Sequence, residues 1–293
     1  MKKIIINIIN SIPGIRFLIK FLYVLKIDKK LYKYSKFNGK FKVKLSNNSS
    51  FKMFGFESIY CTFYYVGLYN KWEKISIKLW ENFAKYSNCI FDVGSNVGIY
   101  SLVAATVNEQ SKIFAFEPDK IAFNRLYNNI QLNKFDVSLN NVVVSDKSGF
   151  STFYQNNNSL ISSLEKDLNS FPIELESVSL NDFCSKINNF PQLIKIDVEG
   201  FENLVLDGMV ELFKFEPIIL VEILPKNFQN MYSHLLKILP SNFLTFGIDE
   251  NVGIYDSNYF FDISKYRNYL IIPQSKMPLL DEITKKESII IYK

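Results

Sequence analysis

Hydrophobic and polar positions change their period along this chain, and the changes mark its elements. Lys40-Phe41-Lys42-Val43-Lys44-Leu45 alternates basic and apolar residues, as a half-exposed strand does, and Asn47-Asn48 supplies a turn toward a second short strand at 50–54. Over 72–86 the apolar residues Ile75, Leu79 and Phe83 recur at helical spacing with Glu and Lys between them, which predicts a helix, with Trp72 and Trp80 as core residues. Cys89-Ile90-Phe91-Asp92-Val93 is then a near-continuous apolar run, followed by Gly94, Gly98 and a helical pattern from Ile99 to Val107. That succession is a buried strand turning sharply into a helix.

From Cys89 onward, strand-like and helix-like patterns alternate. Strands are expected at 113–116, 137–145, 193–197 and 218–222, and helices at 122–132, 202–213 and 228–239. Two last strands follow at 243–248 and 268–273. This alternation implies parallel strands joined by right-handed crossovers, hence an α/β fold with helices on both faces of the sheet. Residues 150–177 interrupt it with the polar tract Asn156-Asn157-Asn158-Ser159, long enough for a lid or a substrate loop. Residues 274–293 read as a tail, with Ile289-Ile290-Ile291-Tyr292 as an added edge strand.

The candidate chemistry starts at the glycine turn. Gly94 can take backbone angles closed to other residues, and a Gly98 without Cβ allows close approach. Asp92 is expected at the mouth of the turn, beside the unpaired N–H groups of the helix N-terminus. The spacing is G-x-x-x-G, so the G-x-G-x-x-G dinucleotide fingerprint is absent, and no G-K-[ST] follows to make a P-loop. A second apolar run, Lys112-Ile113-Phe114-Ala115-Phe116, ends in Glu117-Pro118, at the distance where an acid reaches a ribose. A carboxylate accepting two ribose hydroxyls contributes about 1.5–3 kcal/mol.

Together, Phe91-Asp92-Val93-Gly94-Ser95-Asn96-Val97-Gly98, Phe116-Glu117-Pro118 and Lys195-Ile196-Asp197-Val198-Glu199-Gly200-Phe201-Glu202 resemble the FkbM family of S-adenosylmethionine-dependent methyltransferases. The resemblance covers about residues 71–275, and its most discriminating segment is the last; Ser95 stands where the family more often has Ala. It implies a Rossmann-like methyltransferase fold: a mostly parallel seven-stranded sheet whose final strand runs antiparallel, preceded by a small N-terminal extension. Residues 1–70 are that extension, 71–275 the methyltransferase domain and 276–293 the tail. The resemblance implies S-adenosylmethionine as cofactor, held by Asp92, Gly94, Ser95, Asn96, Gly98, Tyr100 and Ser101, by Glu117 and Pro118, and by Asp197. Its adenine would pack near Ser145 and Asp146, although Asp146-Lys147-Ser148-Gly149 reads equally as a plain turn. Residues 178–183 resemble the family's short strand and helix start before the fourth strand.

Asp197 and Glu199 would lie at the carboxyl end of the fourth strand, beside the first, where strand order reverses. Two acids that close raise one another's pKa, so one of them is expected to be the general base, with Glu222 third. A divalent metal on Asp197, Glu199 and Glu222 is a rival reading, and His234 reads as a packing or surface residue. The resemblance points to an O-methyltransferase acting on a small molecule or glycan, in bacteria a sugar of a surface polysaccharide or glycolipid. The alternatives are a cofactor-binding scaffold without turnover in a glycan-assembly complex and, third, a nicotinamide oxidoreductase, which the glycine spacing disfavours.

Composition adds less. A chain of 293 residues with 48% hydrophobic residues can bury a large core. Cys61, Cys89 and Cys184 show neither a disulfide framework nor metal spacing, which suits a reducing compartment. The net charge of +5 hides an asymmetry: residues 1–44 hold twelve Lys or Arg against one acid, so the remainder is acidic. The apolar stretch at 4–27 is too interrupted for a spanning helix or a signal peptide. It is read either as a segment lying on an anionic membrane surface or as a helix packed on the catalytic domain, and no nucleic-acid motif accompanies it. The expected location is the cytoplasm, at the inner face of the membrane.

Overall fold

The computed structural model describes residues 14–27, 30–31, 37, 39–55, 58–69, 73–156, 170–224, 228–256 and 266–292. They belong to two compact units, Met1–Lys74 and Ile75–Lys293.

In the first unit, helix α1 (Ile15–Val24) is followed by a hairpin of β1 (Gly39–Lys44) and β2 (Ser50–Gly55), then by helix α2 (Ser58–Val66). The hairpin has the expected alternation: Phe41, Val43, Phe51 and Met53 are buried while Lys40, Lys42, Lys44 and Lys52 face outward. On α1, Ile19 is buried against Tyr65 and Val66 of α2. Phe37 stacks on Tyr64 with ring centroids 4.2 Å apart. The pattern of residues 58–66 gives no warning of a helix, because this aromatic and β-branched run has strand-like propensity and no polar face. Trp72 lies outside the described residues.

The second unit begins with α3 (Lys74–Ala84), shorter than the expected 72–86. Its sheet contains β3 (Cys89–Val93), β4 (Lys112–Phe116), β5 (Val137–Asn140), β9 (Leu193–Ile196), β10 (Ile218–Glu222), β11 (Phe243–Asp249), β12 (Gly253–Asp256), β13 (Asn268–Pro273) and β14 (Ile290–Tyr292). The order is β14-β12-β11-β13-β10-β9-β3-β4-β5. The seven expected strands are all present, and β13 runs antiparallel to both β10 and β11. Strands β12 and β14 extend the sheet beyond β11, with β14 parallel to β12. The segment expected as a tail thus carries α9 (Met277–Glu287) and an edge strand.

Three expectations need correction. The third strand does not run through 137–145: β5 stops at Asn140, and β6 (Val143–Val144) pairs instead with β8 (Ser170–Val178) in a three-stranded sheet. The break falls where Asn141 Nδ2 turns back to donate to the carbonyls of Glu117 and Pro118, at 2.7 and 2.9 Å. The segment 150–177 is not simply a loop, since β7 (Gly149–Asn156) and β8 form an antiparallel hairpin. Asn157, Asn158 and Ser159 lie outside the described residues. The helix expected at 202–213 divides into α7 (Glu202–Asp207) and a 3₁₀ turn (Val210–Phe215). The division is at Gly208, where a Cβ would lie 2.1 Å from the Ser145 carbonyl oxygen, so the chain turns aside.

Helices α4 (Ile99–Val107), α5 (Lys120–Asn133), α6 (Leu180–Ile187) and α8 (Phe228–Ile238) complete this unit. One core cluster gathers Phe91, Phe116, Leu180, Cys184, Ile194 and Ile219, and the Phe183 ring meets those of Phe91, Phe114 and Phe116 edge-on or tilted. Cys89 and Cys184 are buried free thiols, and burial pushes each up to about 12. Trp80 is fully buried, and its Nε1 donates to the Tyr100 carbonyl at 2.9 Å.

The N-terminus of α3 is satisfied from a distance. The Glu250 carboxylate accepts from Ile75 N at 2.6 Å and Ser76 N at 3.2 Å, and from the Ser76 hydroxyl. It satisfies first-turn amides of the helix from a residue far along the chain. Glu250→Ala is expected to lower stability by about 1–3 kcal/mol, seen as a lower urea midpoint with an unchanged slope.

Candidate functional site

The site forms where strand order reverses, between β3 and β9, because the chain leaves these two strands in opposite directions across the sheet. Val93 pairs with Ile196, and Asp197 N donates to Val93 O at 2.9 Å, so Gly94 and Asp197 meet just beyond the last ladder positions. Gly94 has φ +79°, and a Cβ there would lie 1.8 Å from the Asp197 carbonyl oxygen. Only glycine fits this approach. The turn is tied to β4 as well: Gly94 N and Ser95 N both donate to Phe116 O, at 3.0 and 2.9 Å. Ser95 Oγ donates to Asp92 O at 2.6 Å and accepts from Phe116 N at 3.1 Å. Asn96 and Gly98 also have positive φ, and Gly98 sits against Leu126 of α5.

Two carboxylates stand behind this turn. Asp92 is buried rather than exposed at the mouth: its Oδ2 accepts from Ser101 N at 2.9 Å and from Ser101 Oγ at 2.6 Å. It therefore holds the first turn of α4 against β3. Burial pushes its pKa up to about 6, against the pull of the Ser101 hydroxyl and the Lys195 charge. Glu117, at the end of β4, accepts from Asn96 N and Asp119 N, both at 2.8 Å, one on each oxygen. Burial raises it to about 8, the two backbone donors opposing. Each oxygen keeps a second lone pair for a ligand hydroxyl. Pro118 is half-buried beside it, and Asp119 caps α5 through Ile121 N and Ala122 N.

Asp197 follows β9 and is paired from below by Lys195. The lysine is fully buried in β9, with Nζ 3.8 Å from Asp197 Oδ2 and 5.2 Å from the centre of the Tyr100 ring. It places a positive charge among Asp92, Asp197 and the aromatic face of Tyr100. Glu199 then turns the chain with φ +54° and is largely solvent-facing. Its pKa is raised, first by partial burial of the carboxyl and then by the charges of Asp197 and Glu202. Glu202 is the residue that sequence reasoning passed over, although the motif contained it. It is buried at the start of α7, and Oε1 accepts from Gly200 N at 2.9 Å. Its other oxygen is buried, and no hydrogen-bond partner for it is found among the described residues. Burial raises this carboxyl too.

The structure therefore brings Asp92, Gly94, Ser95, Asn96, Gly98, Tyr100, Ser101, Glu117, Asp197 and Glu199 to one crevice. Glu222 ends β10, one strand farther along the sheet, where Arg267 Nε lies 3.4 Å from its Oε1. Ser145 and Asp146 have their described contacts elsewhere. Ser145 is buried under Gly208 and its Oγ donates to Asp146 Oδ1 at 3.1 Å, with Lys147 beside the Asp146 carboxylate. His234 meets Asp207 at 2.8 Å, in the contact between α7 and α8. Among the described residues, no group of three or more His, Cys, Asp or Glu is arranged to hold a metal ion. No described helix is long and apolar enough to cross a membrane.

The donor set fits a nucleoside. Glu117 offers acceptors for a diol, and Asp197 and Glu199 add negative charge at the neighbouring strand end. A cleft of about 910 Å³ opens beside β5, lined in part by Asn140, Asn141, Asp182, Phe183 and Lys186. Asn141 links that cleft to Glu117, whose carbonyl it holds.

The chain is similar to proteins of one family. Residues 92–246 match the methyltransferase FkbM domain. The chain is 28% identical over 155 residues to the hexuronic acid methyltransferase AglP of Haloferax volcanii, covering 52% of this chain and 62% of that one. It is also 28% identical over 145 residues to methyltransferase 1 of Beauveria bassiana, covering 41% and 57% respectively. The chain thus spans about three-fifths of the length of the curated relatives it matches. Among solved structures, the S-adenosylmethionine-dependent methyltransferase of Agrobacterium tumefaciens is 9% identical with a TM-score of 0.45, covering 81% of this chain and 71% of that one. An O-methyltransferase of Bacillus cereus is 10% identical with a TM-score of 0.39, covering 67% and 79%.

Asp92 and Glu117 both have folded-state pKa values above their ordinary ones, so the folded chain binds these protons more tightly than the unfolded chain. Their stabilising contribution is complete below the ordinary carboxylate range and is lost as pH rises through about 6 and then about 8. The thermal midpoint of the ligand-free protein is expected to fall as pH rises from about 4 to about 8 and to level off above that, and Glu117→Gln is expected to flatten the part of the fall between about pH 6 and about pH 8. Differential scanning calorimetry across this range checks both.

Proposed function

The chain belongs to the FkbM methyltransferase family and uses S-adenosylmethionine, and from that premise we propose that it is an O-methyltransferase acting on a sugar hydroxyl. The acceptor is a small molecule or glycan, in our reading a sugar of a surface polysaccharide or a lipid-linked glycan, met at the cytoplasmic face of a membrane. The name of the Haloferax volcanii relative, a hexuronic acid methyltransferase, supports a sugar acceptor. The observation that carries the reading is the meeting of Glu117, Asp92 and Asp197 at the ends of three adjacent strands, with solvent-facing Glu199 two residues beyond Asp197.

In this arrangement Glu117 accepts the ribose hydroxyls and the α4 N-terminus orients the remaining polar groups. Asp92 acts indirectly, by fixing Ser101 and the turn of α4. When bound, the cofactor supplies an electrophilic methyl on a sulfonium. Asp197, held by Lys195, would help to hold the cofactor, and alignment of reactants accounts for about 7–11 kcal/mol in well-oriented reactions. An alcohol must lose its proton as it attacks. Glu199 has the raised pKa and the access that a general base needs, with Asp197 its nearest rival. Glu222 is third, because Arg267 lies against it. Glu202 acts as a positioning residue, holding the Gly200 amide and with it the bend that aims Glu199.

The direct test is incubation of candidate lipid-linked and free sugars with labelled S-adenosylmethionine, with methyl incorporation read by mass spectrometry. Label in a sugar hydroxyl is expected. Binding of adenosylhomocysteine without turnover on any acceptor would leave a binding module instead. Glu199→Gln is expected to lower kcat by about 10²–10⁴-fold while adenosylhomocysteine affinity stays within twofold or so. Loss of that affinity with Glu199→Gln would move the residue to cofactor binding, and full activity would move the base to Asp197.

A further inference from the structure

We propose that the N-terminal unit is a docking surface for an anionic phospholipid membrane, formed by the outer face of α1 and the lysine face of the β1–β2 hairpin. This deepens the reading of a membrane-facing enzyme and is tested separately from methyl transfer. The first observation is the apolar stripe on α1. One face of the helix packs in the unit through Ile19, Tyr23 and Ile15. The other leaves Phe17 at 75%, Phe21 at 59% and Val24 at 65% exposed, with Leu18 and Leu25 beside them. These positions fall three and four apart, a single stripe along a ten-residue helix. A large exposed apolar stripe of this kind marks a contact surface rather than ordinary solvent-facing helix.

The second observation selects the partner. Lys40, Lys42, Lys44 and Lys52 all project from one face of the hairpin, and Lys42 pairs directly with Lys52. Residues 39–55 contain no Asp or Glu. Like charges placed opposite one another weaken a two-stranded sheet, so the arrangement opposes the hairpin's own stability. A dense negative surface relieves it. Helix and hairpin share this field: Lys20 lies over the Tyr64 ring at 4.2 Å, and its pKa is lowered by burial and then by the charge of Lys44. Arg16, over the Phe37 ring at 5.6 Å, extends it along the same flank of α1. An apolar stripe bordered by cations matches the boundary between acyl chains and anionic headgroups, where aromatic side chains enter and lysines remain at headgroup level. A second protein chain would have to present both a hydrophobic groove and a strongly acidic rim, and a membrane presents both without specific shape.

The full chain is mixed with vesicles of phosphatidylcholine alone and with vesicles containing about one-third phosphatidylglycerol, and sedimentation is measured. Strong binding to the anionic vesicles only, weakened by salt, is expected. Phe17→Ser with Phe21→Ser is expected to reduce partitioning about tenfold or more, and Lys40→Gln, Lys42→Gln and Lys44→Gln together about a hundredfold, at roughly fivefold per lysine. All five side chains are exposed, so unchanged adenosylhomocysteine affinity and thermal midpoint identify variants that remain folded. No binding to anionic vesicles, equal binding to both kinds, or variants that bind like the parent would each overturn the proposal. So would a Phe17→Ser, Phe21→Ser variant that only converts a dimer to a monomer in sedimentation velocity, which would assign the stripe to a second copy.

Discussion

The second unit depends on a close approach of two stretches of backbone. At Gly94 the chain turning out of β3 passes so near the carbonyl of Asp197 that a single added carbon would overlap it. Nothing chemical happens at that contact, yet it decides where the chemistry is. It brings the turn that opens α4 against the strand end that carries Asp197 and Glu199. The hydrogen bonds of Gly94 N and Ser95 N to Phe116 O then add the third strand to the same point. Three strand ends are thus locked together by main chain, and side chains are left to recognise ligand.

Charge is arranged on this frame with unequal exposure. Asp92 and Lys195 are sealed beneath the crevice, Glu117 is nearly so, and Asp197 and Glu199 are progressively more open. A buried acid without compensation would be costly, and here each has a specific answer: a serine for Asp92, two amides for Glu117, a lysine near Asp197. Glu202 is the exception, with one buried oxygen that has no partner among the described residues. The gradient runs from acids that shape the fold, innermost, to acids open to solvent, outermost.

Most of the architecture was legible because period and punctuation agreed. Strand β3, helix α4 and strand β10 fall where the pattern puts them, since apolar runs, glycines and acids all mark the same boundaries. The failures share a cause. At Asn140-Asn141 and at Gly208, the chain changes course to satisfy a tertiary contact: one side chain holding Glu117 and Pro118, one carbonyl of Ser145 occupying the space of a Cβ. Neither contact leaves a trace in local hydrophobicity. Asp92 was misplaced for a related reason, because a strand-end acid has the same local pattern whether it faces ligand or a serine on the following helix. The duty of Glu202 was hidden in the same way, since only the folded loop shows that it turns back onto Gly200.

The contact at Gly208 also reaches beyond its own helix. It joins the segment that follows the Asp197–Glu199 bend to the end of β6, which continues into the hairpin of β7 and β8. Two regions distant in sequence, one following Asp197 and Glu199 and the other leading into a hairpin, therefore share a close backbone contact. Insertion of any side chain at position 208 would therefore have to move both segments together, the one after the Asp197–Glu199 bend and the one that leads into β7.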